Sequence, residues 1–313
     1  MNRMIAIVGP TASGKTRLSV QLAEHLDAEI VSFDSMQVYR GMDVGTAKPT
    51  MEERRGIVHH MMDVAEPSED YSVSRYVNQA DAVVQEILSR GKSVILVGGT
   101  GLYVDSLVAG REFAPFPQTG LREELTKIAE EQGISVLVER LRAVDPEAAE
   151  SIHPSNQKRV IRALEVYLET GKTITEHNRE TQSIPPKYAP VWIGLDYVNR
   201  AALYARIDKR VEEMFAQGLL DEVRRLLDSG IPASATAMQA IGYKEAVAHL
   251  RGEASEAEAV AAIQLATRHY AKRQRTWFRR NEKVHWLELE DSPDFDEVFS
   301  RVLPLLTDSD ITK

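Results

Sequence analysis

Met4-Ile-Ala-Ile-Val-Gly-Pro-Thr-Ala-Ser-Gly-Lys-Thr16 is the stretch that decides the architecture of this chain. An apolar, β-branched run from Met4 to Val8 gives way at Gly9 to a loop matching G-x-x-x-x-G-K-[ST]. Beyond it Leu18, Leu22 and Leu26 repeat at helical spacing. Strand, glycine-rich loop and helix follow in the order the motif requires. The residue types fit a grip on phosphate. Gly9, Pro10, Thr11, Ala12, Ser13 and Gly14 let backbone N–H groups turn inward, and the helix N-terminus adds partial positive charge. Lys15 supplies a mobile cation, and Thr16 offers a hydroxyl to magnesium. A chance glycine-rich turn is the alternative.

The loop does not name the phosphate's owner. ATP is the default, but no N-K-x-D signature for guanine is present. A further strand, Ser93 to Val97, ends in Gly98-Gly-Thr-Gly101 instead of the aspartate that a Walker B strand carries to magnesium. Those glycines permit close approach of a ligand with Thr100 as a polar contact, or they make a plain turn into a helix from Leu102 to Val108.

Outward from the loop, Glu29 to Phe33, Val191 to Leu195 and Val284 to Leu289 read as strands, and Val73 to Leu88 as one amphipathic helix. From residue 112 to 190 the pattern changes. The segment opens with Phe113-Ala-Pro-Phe-Pro117, closes with Pro185, Pro186 and Pro190, and holds only helical periodicity, clearest from Ser155 to Glu169 with Val160, Leu164 and Leu168 in register. The expected fold is α/β: a P-loop NTPase-like parallel sheet core from 1–111 and 191–313, with an inserted all-helical subdomain at 112–190. Arg200 to Leu227 reads as a long helix interrupted near Gly218. Ser255 and Glu258 form a capping box that starts another helix running to about Arg280.

At 313 residues, with 43% hydrophobic and 27% charged residues, the chain has the composition of a globular protein with a sizeable core. No stretch approaches a membrane span, and the short apolar run before Gly9 is no signal sequence, so the expected location is the cytoplasm. Zero cysteines exclude disulfides, thiol catalysis and cysteine-ligated zinc. A net charge of -9 argues against a polyanionic partner, yet Arg268, Lys272, Arg273, Arg275, Arg279, Arg280 and Lys283 cluster against one acid, Glu282. On a helix, Arg268, Lys272, Arg275 and Arg279 form one cationic stripe, with Arg273, Trp277 and Arg280 beside it. That suits a nucleic-acid backbone; a solvated face with Trp277 in the core is the bland alternative.

Asp34 follows the second strand, so it points into the crevice that holds the loop. It can bind magnesium through water, accept a proton from a nucleophile, or merely cap a turn. Arg206 and Arg210, four residues apart, share a helix face and can reach a diphosphate leaving group or pair with Asp208 and Glu213. His59-His60 invites a metal reading, but adjacent histidines on an extended segment point apart, and we read them as structural.

Six separated blocks then bring a resemblance into view: Gly9 to Thr16; Asp34-Ser-Met-Gln-Val-Tyr-Arg-Gly-Met-Asp43 with Gly45-Thr-Ala-Lys-Pro49; Gly98-Gly-Thr-Gly-Leu-Tyr103; Arg159-Val-Ile-Arg-Ala-Leu-Glu165; Met238-Gln-Ala-Ile-Gly-Tyr243; and Lys272-Arg-Gln-Arg-Thr-Trp-Phe-Arg279. Together, from Ile5 to about Leu289, they resemble the tRNA dimethylallyltransferase family.

The resemblance implies a P-loop core with a helical insertion, and transfer of a dimethylallyl group from dimethylallyl diphosphate to N6 of the adenosine 3′ of the anticodon in tRNA. By it, Asp34 is the general base, while Thr11, Lys15, Thr16 and Arg206 or Arg210 hold the diphosphate and its Mg2+. The tRNA anticodon stem-loop is expected at Asp34, Ser35, Met36, Gln37 and Thr100, and at Gln157, Lys158, Arg159, Val160 and Ile161. It is expected also at Ala237, Met238, Gln239, Ala240, Ile241 and Gly242, and at Lys272, Arg273, Arg275, Trp277, Arg279 and Arg280. Arg122, outside the quoted blocks, joins that set. Cleft-lining cations reconcile an acidic chain with tRNA. A monomer is expected. A small-molecule kinase, a transferase acting on free adenine nucleotide and a non-catalytic RNA-binding or GTPase-like module are the competing readings.

Overall fold

The computed structural model describes residues 4–111, 119–182 and 185–307. Phe113 to Pro117 and the polar tail past residue 307 lie outside the described residues. In chain order come β1 (Met4–Val8), α1 (Lys15–Leu26), β2 (Ala28–Ser32), the single turn α2 (Met51–Arg54), the short strand β3 (His59–His60), α3 (Val73–Ser89), β4 (Ser93–Val97) and α4 (Gly101–Ala109). Next are α5 (Leu121–Gln132), α6 (Ile134–Val144), α7 (Pro146–Ser151), α8 (Gln157–Thr170) and α9 (Ile174–Gln182). The chain returns through β5 (Val191–Tyr197), α10 (Arg200–Ala216), α11 (Leu219–Asp228), α12 (Tyr243–Leu250), α13 (Glu256–Phe278), β6 (Val284–Leu289) and α14 (Phe295–Thr307).

The strands form one parallel sheet in the order β3-β2-β4-β1-β5-β6, with Ile5 paired to both Ile95 and Val191. Every residue of β1, β2, β4 and β5 is buried, which is why these segments are mostly apolar and do not alternate. Ile5, Ile7, Ile30, Ile95, Ile193 and Leu195 share a core cluster with Leu18 and Leu22 of α1 and with Phe295, Val298 and Val302 of α14. Each fully buried leucine of α1 contributes about 1.5–3 kcal/mol. Tyr76 of α3 stacks on Tyr103 of α4 with ring centroids 4.3 Å apart and donates its hydroxyl to Ser32 O.

α10 and α11 break at Gly218, whose φ of 95° sits where glycine is favoured, as the spacing predicts. The capping box of Ser255 and Glu258 starts α13. α2, β3, α12 and α14 escaped the sequence reading; α2 and β3 are too short to carry a period, and α14 holds Pro304 inside the helix.

Two compact units emerge, Met1–Gly110 with Lys187–Lys313, and Arg111–Pro186. Lys187 to Pro190 fall in the first unit because Tyr188 is buried, with its N–H on Val108 O and its hydroxyl on Asp81. The helical unit has its own core of Leu125, Leu137, Leu141, Val160, Ile161 and Leu164. Its buried Asp145 caps α7 and accepts from Thr175. Leu168 is exposed, against the expected register, because the buried stripe of α8 ends at Val166. Among the described residues no helix is long and apolar enough to cross a membrane.

Candidate active site

The loops leaving β1, β2 and β4 emerge at the carboxyl edge of the sheet beside its switch in strand order, where open α/β sheets bind ligands. Gly14 caps α1 at φ 86°, and a Cβ there would lie 1.9 Å from the Phe295 ring, so the loop rests on α14 and tolerates only glycine. Lys15 folds over the loop, its Nζ donating to Gly9 O at 3.0 Å and Pro10 O at 2.7 Å. Burial, then the neighbouring Arg210 cation, push its pKa down to about 7, with Asp34 opposing. An arriving anion reverses that pressure and favours the ammonium. Ser13 lines the cavity beside this loop, and its Oγ is buried with no hydrogen-bond partner among the described residues.

Both arginines of α10 reach this loop. Arg206 Nε donates to Ala12 O at 3.2 Å, and Arg210 donates to Thr11 Oγ1 at 3.3 Å. Their four-residue spacing thus serves the loop, and the exposed ion-pair alternative does not describe them. Burial, then Arg206, pull the Arg210 pKa down, an unfavourable concentration of positive charge that a polyanion would relieve.

Asp34 lies just past β2 and opposite the loop. Its Oδ1 accepts from the N–H groups of Met36 at 2.9 Å and Gln37 at 3.3 Å. Burial raises its pKa, while those two amides and Lys15 restrain the rise. The turn after β4 is fastened alongside: Thr100 Oγ1 accepts from Ser35 N at 3.0 Å and donates to Ser35 Oγ at 3.2 Å. Thr11, Lys15, Asp34, Gln37, Gly98 and Arg210 line one cavity of about 430 Å³. Val44, Thr46, Ala47, Pro49, His59, Met62 and Met214 line it too.

Gln274 of α13 was not singled out from sequence. It is 4% exposed, accepts the Thr11 N–H at 2.8 Å and donates to Gly99 O at 3.1 Å, joining the loops that follow β1 and β4. An uncharged residue inside a cationic run, one turn after Tyr270, was the only signal. Tyr270 donates to the same Gly99 carbonyl at 3.3 Å.

The basic helix divides its charges. Arg268 pairs with Asp208, while Arg275 at 2.9 Å and Arg279 at 3.1 Å pair with Asp196, which is 1% exposed. Three cations of the expected stripe therefore hold α13 to α10 and β5. Lys272, Arg273 and Arg280 are exposed, with Arg273 over the Tyr270 ring and Arg280 over Trp277. Trp277 Nε1 donates to Asp105 at 2.8 Å.

Other expected contacts are partly internal. Ala237, Met238 and Ala240 are buried around a 3-10 turn, leaving Gln239 exposed, Ile241 half-buried and Gly242 starting α12. In the helical unit Val160 and Ile161 are core residues, whereas Lys158 and Arg159 are exposed on the first turn of α8 and Gln157 is half-buried. Arg122 and Arg162 both engage Glu165.

A family model described as IPP transferase matches residues 37–281. A tRNA dimethylallyltransferase of Caldanaerobacter subterraneus subsp. tengcongensis is 47% identical over 306 residues, covering 97% of each chain. The crystal structure of the full-length tRNA isopentenylpyrophosphate transferase from Bacillus halodurans is similar at a TM-score of 0.74 and 41% identity, covering 98% of this chain and 96% of that one. Crystallographic snapshots of a eukaryotic dimethylallyltransferase acting on tRNA match at a TM-score of 0.83 and 28% identity, over 100% of this chain and 81% of that one.

Proposed function

Because the chain belongs to the IPP transferase family and is a prenyltransferase, we propose that it carries a dimethylallyl group from dimethylallyl diphosphate to N6 of the adenosine 3′ of the anticodon in tRNA. The observation that carries this reading is the shared cavity: a carboxylate, Asp34, faces a phosphate-type loop flanked by Lys15 and Arg210. A leaving diphosphate and a proton acceptor are the two ends of one displacement.

The exocyclic amine of adenine is a poor nucleophile, since its lone pair is delocalised into the ring. The allylic C–O bond breaks with its electron pair going to diphosphate, N6 forms the new C–N bond, and N6 gives its proton to Asp34. The loop amides, Lys15, Arg206 and Arg210 stabilise the charge that grows on the leaving group; each such donor is typically worth about 10²–10³ in rate. The raised pKa of Asp34 makes it a stronger base than an ordinary carboxylate, provided it is ionised before the amine arrives. The base must leave its stack to enter the cavity, at a cost of about a few kcal/mol.

Thr16 would hold Mg2+, with the remaining ligands drawn from diphosphate oxygens and water. Thr16 lines the cavity, and a single hydroxyl ligand suits an ion that takes most of its oxygens from phosphate and water. When bound, the ion would screen the diphosphate charge. For tRNA, the exposed Lys272, Arg273 and Arg280 supply phosphate contacts, as do Lys158 and Arg159. We propose that it acts in the cytoplasm, as a monomer.

Single-turnover transfer of label from dimethylallyl diphosphate to bound tRNA, compared between the wild type and Asp34→Ala, tests the assignment. We expect at least a hundredfold slower transfer with tRNA affinity within about threefold. Lost tRNA binding with unchanged transfer per bound complex would remove Asp34 as the base.

A further inference from the structure

Glu222 of α11 is 1% exposed, and no step described so far uses it. Its Oε2 accepts the N–H groups of Asp43 at 2.8 Å and Val44 at 2.9 Å, and its Oε1 accepts Gly45 N–H at 3.1 Å and the Tyr243 hydroxyl at 2.6 Å. A carboxylate on three successive amides and a phenol is fully satisfied, and charge-assisted bonds of this kind are the stronger ones. The fit is tight at Gly45, where a Cβ would lie 2.5 Å from the Tyr243 ring. The strap so held closes on itself: Ala47 N–H bonds Val44 O, and Lys48 N–H bonds Asp43 O. At its far end the buried Lys48 ammonium spans Asp43 and Asp63.

The strap faces the reaction. Val44, Thr46 and Ala47 line the cavity that the phosphate loop and Asp34 also line. The Gln37 side chain donates from Nε2 to Thr46 O and Ala47 O, each at 3.3 Å, and accepts from Ser32 Oγ at 3.2 Å. Gln37 then donates its backbone N–H to Asp34 Oδ1. An unbroken run of bonds therefore leads from Glu222 through the strap and Gln37 to Asp34, and Tyr243 joins it from the residue next to the Ala237 to Gly242 segment.

We infer that Glu222, braced by Tyr243, is a positioning residue for the reaction: it fixes the Asp43–Ala47 strap, which orients Gln37 and through it the Asp34 carboxylate. This rests on the reading of Asp34 as the base. In Glu222→Gln one carboxylate oxygen becomes an NH2 group that cannot accept a strap N–H, so the strap loosens without a large change of volume. Misplacement of a reacting group by a fraction of an ångström to one ångström lowers turnover by about ten- to a hundredfold, with little effect on substrate affinity.

The test compares wild type, Glu222→Gln, Tyr243→Phe, Gln37→Ala and the double variant Glu222→Gln/Gln37→Ala. Transfer to tRNA, thermal unfolding and amide exchange are measured on each. We expect kcat of Glu222→Gln to fall at least tenfold at near-constant KM for both substrates, Tyr243→Phe to fall less, and the double variant to be no slower than the slower single one. Amide exchange of Met36 and Gln37 should quicken together with that of Asp43 to Gly45. Unchanged kcat with only a lowered Tm, or rate losses that multiply in the double variant, would overturn the inference. If Glu222→Gln fails to fold, Tyr243→Phe with Gln37→Ala carries the same cycle. A wild type that labels no tRNA would sink the proposed function instead, and exchange at Met36 and Gln37 would still decide whether the strap governs the Asp34 turn.

Discussion

Asp34 and Lys15 illustrate what a residue's neighbours do to its chemistry. Each is pushed toward its neutral form by burial and pulled back by the other's charge. Asp34 was legible because its place after the second strand sets the crevice it faces. Gln274 and Glu222 were not, since their partners lie 263 and 178 residues away and no local period reports such contacts. Glu29, at the start of β2, gives a cleaner electrostatic prediction. Its hydrogen bonds to Arg90 foremost, with His60 and Lys92, outweigh burial and hold its pKa near 2, below its ordinary 4.5. A depressed carboxylate contributes stability that is present above 4.5 and is lost as pH falls toward 2. Urea unfolding across that window should show a shallower pH dependence for Glu29→Gln than for the wild type. Equal slopes would mean that the network does not distinguish folded from unfolded chain.

At the level of elements, α13 shows where sequence periodicity stops. The spacing of Arg268, Lys272, Arg275 and Arg279 places them along one side of a helix, but not whether that side meets solvent or the acids of a neighbouring strand. The carboxylate of Asp196 at the end of β5, buried among apolar strands, settles it by drawing in Arg275 and Arg279. Arg275→Ala leaves that carboxylate with one cation and should lower stability by about 1–3 kcal/mol, read by denaturant unfolding. Arg273→Glu, on the exposed face, should leave stability within about 0.5 kcal/mol. It should weaken tRNA binding and reduce the log–log salt slope by about one counterion per lost phosphate contact. An unaltered slope would exclude Arg273 from the RNA interface. The helix α14 makes a similar point: Phe295, Val298 and Val302 are spaced for a helix, yet only the fold shows that Phe295 supports the phosphate loop at Gly14.

The whole molecule carries a net charge of -9 and still presents exposed cations on α8 and α13, so the overall charge is a poor guide to its partner. The parallel sheet core and the phosphate loop were readable because buried parallel strands and a loop with fixed residue types leave strong local signals, whereas the order of the strands was not. The rest of the cavity lining was not readable either, since part of it comes from a strap whose residues carry no period. The two compact units suggest a dissection: Val108 O bonds Tyr188 N–H, so the ends of the core on either side of the helical unit meet. Replacing residues 111–186 by a short glycine-serine linker should leave a folded core that binds diphosphate with magnesium but no longer labels tRNA, checked by calorimetry and transfer assay. Loss of diphosphate binding would mean that the core depends on the helical unit. The most direct measurement incubates the purified chain with magnesium, radiolabelled dimethylallyl diphosphate and unmodified tRNA carrying adenosine 3′ of the anticodon, and counts label in RNA. Label that vanishes when that adenosine is changed to guanosine is the predicted result; no label, with phosphate transferred from ATP in a parallel tube, would contradict it.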